Sequence, residues 1–167
     1  MEQIQRMQEH LLLIRRSIGW TAEMLGEQIG VTRQTINNIE GKRSKLTKTQ
    51  YLAMRSIFDA EIACFPSETE MLHLLLTVLV DYPENFTEQQ RQELINKGNL
   101  LSPSILAGSA PREAVSKEFI RTVSAAAAVS LRPIPTGLYG PIAGTWLDHA
   151  LQSANRKTSK NDCSLPG

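Results

Sequence analysis

Apolar residues return every third or fourth position at the start of the chain. Ile4, Met7, Leu11, Ile14 and Ile18 mark one face of a helix that Gly19 stops. Thr21 is placed to cap a second, short helix with Leu25 and Ile29 turned inward. Within it Gly26, lacking a Cβ, admits a close neighbour, and Gly30 turns the chain. Thr32 then caps a third helix whose inward residues are Ile36 and Ile39. At about 100° per residue, Gln34, Asn37 and Asn38 fall on the opposite side. A run through Thr47, Tyr51, Met54, Ile57 and Phe58 predicts a fourth helix that closes a small core.

The pattern changes at Pro66 and Ser67. Ser67, Glu68, Thr69 and Glu70 fit a capping box ahead of MLHLLLTVLV, a helix with no polar stripe. A helix apolar all round must be buried, within its own chain or against a second copy, and the expectation is that residues 71–80 lie at or beneath a dimer interface. About 15 residues, ending at Asp81 and Pro83, are too few to span a bilayer. Thr87 opens TEQQRQELINKG, predicted to stop at Gly98 before a turn at Ser102 and Pro103. Residues 111–130 predict a helix with Val115, Phe119, Ile120 and Val123 on one face, followed by the punctuated connection LRPIPTGLYGP. A last helix over 141–153 gathers Ile142, Trp146, Ala150 and Leu151, and the polar tail 155–167 is expected to be disordered.

Composition places the chain among globular proteins: 167 residues, 41% apolar and 21% charged. The net charge of +1 says little about partners, but its distribution does. Between Val31 and Lys48 the basic residues Arg33, Lys42, Arg43, Lys45 and Lys48 face one acid, Glu40. That local excess adjoins an outward row of amides. Asn and Gln pair with adenine N6 and N7, and Arg with guanine O6 and N7, so Arg33, Gln34, Asn37 and Asn38 form a candidate base-reading set. The positive loop beside them suits a phosphate backbone.

The stretch TAEMLGEQIGVTRQTINNIE, with its small residue Gly26, turn residues Gly30 and Val31, cap Thr32, apolar Ile36 and Ile39, and closing Ile-Glu before a basic loop, resembles the helix-turn-helix of the phage-repressor and Cro family, also called the xenobiotic-response-element (XRE) family. The resemblance covers about residues 1–65. It implies an all-α fold, a lambda-repressor-like bundle followed by a helical C-terminal region. It also implies a structural ion pair between Arg15 and Glu40. Members of the family often carry Gln where this chain has Ala22, and there the amide meets a phosphate. Without it, backbone anchoring is expected from Thr21, Thr32 and the helix N-terminal amides, with Lys42, Arg43, Lys45 and Lys48.

The reading is a sequence-specific, DNA-binding transcriptional regulator, a repressor by resemblance, whose residues 1–65 read half of a palindromic operator. Residues 66–154 are expected to form a homodimer or to hold a protein partner or small-molecule effector. The alternative is an antitoxin-like interaction protein that also regulates its own promoter. No enzyme is expected. Ala107-Gly108 resembles the self-cleavage dipeptide of LexA-like repressors, but the nominated Ser124 or Ser130 and Lys157 or Lys160 lack the rigid β-rich frame on which a nucleophile meets its base. His10, His73 and His149 are isolated, and Cys64 and Cys163 show no metal-ligand or disulfide-scaffold spacing, so neither metal nor cofactor is expected. The start of the chain shows no signal pattern, and the expected location is the cytoplasm. Arg132 and three prolines interrupt the low-charge stretch from Thr122 to Leu147, and on length no membrane insertion is expected.

Overall fold

The computed structural model of the chain describes residues 2–130, with side chains to residue 125. The connection after Ser130, the helix expected over 141–153 and the tail lie outside the described residues.

Every regular element among the described residues is helical. The helices are α1 (Glu2–Ser17), α2 (Ala22–Ile29), α3 (Arg33–Glu40), α4 (Lys48–Cys64), α5 (Glu70–Leu75), α6 (Glu88–Leu106) and α7 (Arg112–Ser130). A π-helical turn, Leu76–Asp81, continues α5, and a 3₁₀ turn, Pro83–Asn85, precedes α6.

Local chemistry explains most boundaries. The hydroxyls of Thr21, Thr32, Thr47 and Thr87 each accept from the backbone N–H three residues on, satisfying a donor that the helix itself leaves unpaired. Thr47 with Gln50 and Thr87 with Gln90 complete reciprocal capping boxes. At Gly19, Gly30 and Gly108 the chain turns left-handed, with φ of +72°, +73° and +66°. Each glycine closes a Schellman motif: the next residue's N–H returns to the carbonyl five back, as from Val31 to Gly26 at 2.9 Å.

One apolar core runs through the described chain. Met7, Leu11, Ile14, Leu25, Ile36, Ile39, Met54 and Phe58 join Leu72, Leu75, Leu94, Phe119 and Val123 in a single buried cluster. α1 is its axis, packing on α3 and α4 on one side and on α5, the π turn and α6 on the other.

The second half departs from expectation in two places. α6 does not stop at Gly98 or turn at Ser102 and Pro103; it runs to Leu106. Gly98 is buried and faces Leu13 of α1, so the missing Cβ makes room for a neighbour and does not end the helix. Pro103 sits in the last turn, and the carbonyl it cannot bond belongs to exposed Asn99. The capping box at Ser67–Glu70 does not form either: Thr69 occupies the cap position, but its hydroxyl donates to the Phe65 carbonyl at 2.7 Å.

Of the two covers open to residues 71–80, the chain itself supplies one. All but His73 are buried, and they are covered by α1, α4, α6 and α7 of the same chain. A second copy is not needed to hide them. The widened π turn ends with Tyr82 N–H donating to the Thr77 carbonyl at 3.0 Å. Its end is then fixed from outside, as Arg55 of α4 grips Asp81 through two bonds of 2.8 and 2.9 Å, and Arg6 of α1 donates to the Val80 carbonyl at 3.2 Å.

Candidate nucleic-acid interface

α3 has eight residues and is therefore about 12 Å long. Ile36 and Ile39 are buried beneath it, which leaves Arg33 and Gln34 exposed and Asn37 and Asn38 half-buried on the outer side. Gln34 Nε2 donates to Asn38 Oδ1 at 3.0 Å, one turn along. The four candidate base-reading side chains thus share a single outward face.

The turn before α3 is set by close approach. A Cβ on Gly26 would lie 2.6 Å from the Val31 carbonyl oxygen and 3.3 Å from the Thr32 carbonyl carbon. Any larger residue would push α2 away from the start of α3. Thr21 and Thr32 are both exposed at helix N-termini. The Thr21 oxygen accepts from Met24 N–H at 3.1 Å, leaving its own O–H to donate outward. Ala22 is 8% exposed, and its methyl belongs to the core.

Beyond α3 the chain makes a fourth Schellman turn, Arg43 N–H to the Asn38 carbonyl at 2.8 Å and Lys42 N–H to the Ile39 carbonyl at 3.1 Å. The left-handed position is held here by Lys42, with φ +56°, and not by a glycine. Lys42, Arg43, Lys45 and Lys48 are all exposed. Leu46 alone turns inward, 5% exposed, and ties the loop to the core.

Two side chains of α1 hold this arrangement from behind. Arg15 and Glu40 form a bidentate pair, Nε to Oε1 at 2.6 Å and Nη2 to Oε2 at 3.0 Å, with each side chain over nine-tenths buried. Arg15 Nη1 also donates to the Trp20 carbonyl at 2.6 Å, so one guanidinium joins the end of α1 to the end of α3. Gln8 does the same for the loop. Its Nε2 donates to the carbonyls of Ile39 and Ser44 at 2.9 and 2.7 Å, and its Oε1 accepts from Leu46 N–H at 3.1 Å.

Sequence reasoning did not single out Gln8. A signal was present: Ile4, Gln8, Leu11, Arg15 and Ile18 share one helical stripe, and the two polar members of an otherwise apolar stripe are the two that hold α3. Of the residues nominated for LexA-like cleavage, Ala107 and Gly108 form the exposed stop of α6, and the Ser124 hydroxyl donates to the Ile120 carbonyl at 2.7 Å. Ser130 has no described side chain, and His149, Lys157, Lys160 and Cys163 lie outside the described residues. Among the described residues no helix is long and apolar enough to cross a membrane.

A short helix docked by its apolar side on a capped partner, with amides outward and a basic loop after it, defines a helix-turn-helix DNA-binding domain. Residues 11–59 match the family model described as Helix-turn-helix, of the XRE and Cro/cI type. That segment is a DNA-binding domain of the kind found in transcription regulators. No curated protein and no solved structure matches the chain.

Proposed function

We propose that the chain is a transcriptional repressor that binds a palindromic operator as a homodimer, each copy laying α3 in the major groove. The observation that carries this reading is the outer face of α3, where Arg33, Gln34, Asn37 and Asn38 stand together beside four exposed basic residues. In this reading those four contact base edges. Thr21, Thr32, Lys42, Arg43, Lys45 and Lys48 contact phosphates and set the register. Arg15, Glu40, Gly26 and Gly30 keep α3 at a fixed angle.

The homodimer follows from size, because a 12 Å helix covers only a few base pairs and a two-fold protein matches a two-fold site. Residues 66–154 are the place for it. Leu100 and Leu106 of α6 are 72% and 40% exposed, apolar side chains available to a second copy.

Selection of bound sequences from random duplex DNA by the full chain tests the reading. The expected result is an inverted repeat with half-site centres about one helical turn apart. Recovery of unrelated sequences with no common half-site would defeat it. Repression is then read from a reporter carrying the selected site.

A further inference from the structure

Gln8 of α1 ends in an amide whose orientation its partners fix. Carbonyl oxygens only accept and a backbone N–H only donates. Nε2 must therefore face the carbonyls of Ile39 and Ser44, at 2.9 and 2.7 Å, and Oε1 the Leu46 N–H, at 3.1 Å. Turning the amide over would set oxygen against oxygen twice and N–H against N–H once. Both Nε2 hydrogens are engaged within the protein, and the half-buried side chain has none left to donate to DNA.

These bonds fill a gap between two local motifs. The Schellman turn after α3 holds the backbone as far as the Ser44 N–H, which donates to the Asn38 carbonyl at 3.2 Å. The capping box of α4 takes hold again at the Thr47 N–H, which donates to Gln50 Oε1 at 3.0 Å. Between them lie the Ser44 carbonyl, exposed Lys45 and the Leu46 N–H, and Gln8 binds the first and the last. Gln8, Lys42, Lys45 and Leu46 border one cleft, so the amide lies close to the basic side chains it serves. Residues 41–45 are all exposed, and fixing an exposed backbone costs entropy.

We propose that Gln8 is a positioning residue for DNA binding, which pre-orders the loop from Ser44 to Leu46 so that its cations meet the phosphate backbone already in place. This rests on the phosphate-contacting role proposed above for the loop. It adds a residue of α1 that itself touches no DNA. A loop ordered in the free protein spares binding the entropic cost of ordering it. Losing Gln8 leaves the number of neutralised phosphates unchanged, so affinity should fall while its salt dependence holds.

The test measures binding of the full chain to the selected operator and to random duplex DNA over a range of salt, at a temperature where circular dichroism shows every variant folded. Gln8→Ala removes the bonds, and Gln8→Met removes them while keeping an unbranched side chain of similar length. Both should bind about ten-fold more weakly, by the same factor on either DNA, with the slope of log affinity against log salt unchanged. In hydrogen exchange the Leu46 amide should lose protection in both variants while the Ile14 amide keeps it. Lys45→Ala, measured beside them, should lower the slope by about 0.9.

Wild-type affinity in both Gln8 variants would make the residue structural only. A slope that falls with affinity would make it a phosphate contact, and a loss confined to the operator would make it part of base reading. Each of these overturns the proposal while Lys45→Ala still places the loop on the phosphates. Lys45→Ala indistinguishable from wild type would instead overturn the loop's phosphate role, on which the proposal rests.

Discussion

Gly98 of α6 lies against Leu13 of α1 so closely that a Cβ on Gly98 would sit 3.1 Å from Leu13 Cδ1 and 3.3 Å from Cδ2. This approach joins the DNA-binding segment to the helices that follow it, and the apolar cluster is continuous across it.

The shared core predicts one cooperative transition. Trp20 packs on Phe58 with ring centroids 6.2 Å apart and reports on the first four helices. In a Trp146→Phe background, Trp20 fluorescence and far-ultraviolet helicity should melt together. Gly98→Val should lower both midpoints in step, by about 1–3 kcal/mol for an overpacked site. A fragment ending at residue 65 should melt below the full chain, because α1 loses the partners on one of its sides. Two separated transitions in the intact protein would argue for independent halves.

Glu40→Ala should destabilise the fold by about 3–5 kcal/mol, since it leaves the buried Arg15 guanidinium without its carboxylate. Glu40→Gln, which keeps an acceptor, should cost less. Denaturant midpoints of the two variants measure this directly. A loss of well under 1 kcal/mol in Glu40→Ala would place the pair among solvent-screened ones.

In the proposed function, Lys42 carries opposite demands on stability and binding. Its φ of +56° is of a kind that costs an L-residue about 1–2 kcal/mol and costs glycine almost nothing. Lys42→Gly should therefore raise the melting temperature and weaken DNA binding on every sequence alike. The slope of log affinity against log salt should fall by about 0.9, because one phosphate is no longer neutralised by a lysine. Unchanged affinity would remove Lys42 from the phosphate-binding set.

His10 of α1 is held below the usual histidine range, first by burial and further by Lys42, against the opposing pull of Glu9 and Glu88. The neutral ring is therefore favoured in the folded state, whereas the unfolded chain takes up its proton near pH 6.5. Stability from this site is fully present above about pH 6.5 and is lost as pH falls through the lower folded value. His10→Gln should narrow the difference in denaturant midpoint between pH 7 and pH 5. An equal difference in both proteins would assign the acid sensitivity elsewhere.

The first four helices were legible in the sequence because their boundaries are local. Thr21, Thr32 and Thr47 cap residues three positions away, and Gly19 and Gly30 turn the chain on their own account. Beyond Pro66 the decisive partners are distant. Whether Gly98 ends a helix or admits a neighbour depends on Leu13, 85 positions earlier. The capping box expected at Ser67–Glu70 gave way to Thr69 at the cap position, its hydroxyl turned back to the Phe65 carbonyl. An apolar helix announces burial but not what buries it. In the candidate site, the polar outer face of α3 could be read from 100° spacing. Gln8 could not be assigned until the fold brought Ile39, Ser44 and Leu46 to its amide.

α1 offers Gln8 and Arg15 to α3 and its loop on one side and Leu13 to Gly98 on the other. It is one uninterrupted helix held at both flanks. Packed interiors transmit strain, and α1 is the element that α3 and α6 have in common. The segment that carries α3 therefore shares its supporting helix with the helices that follow it.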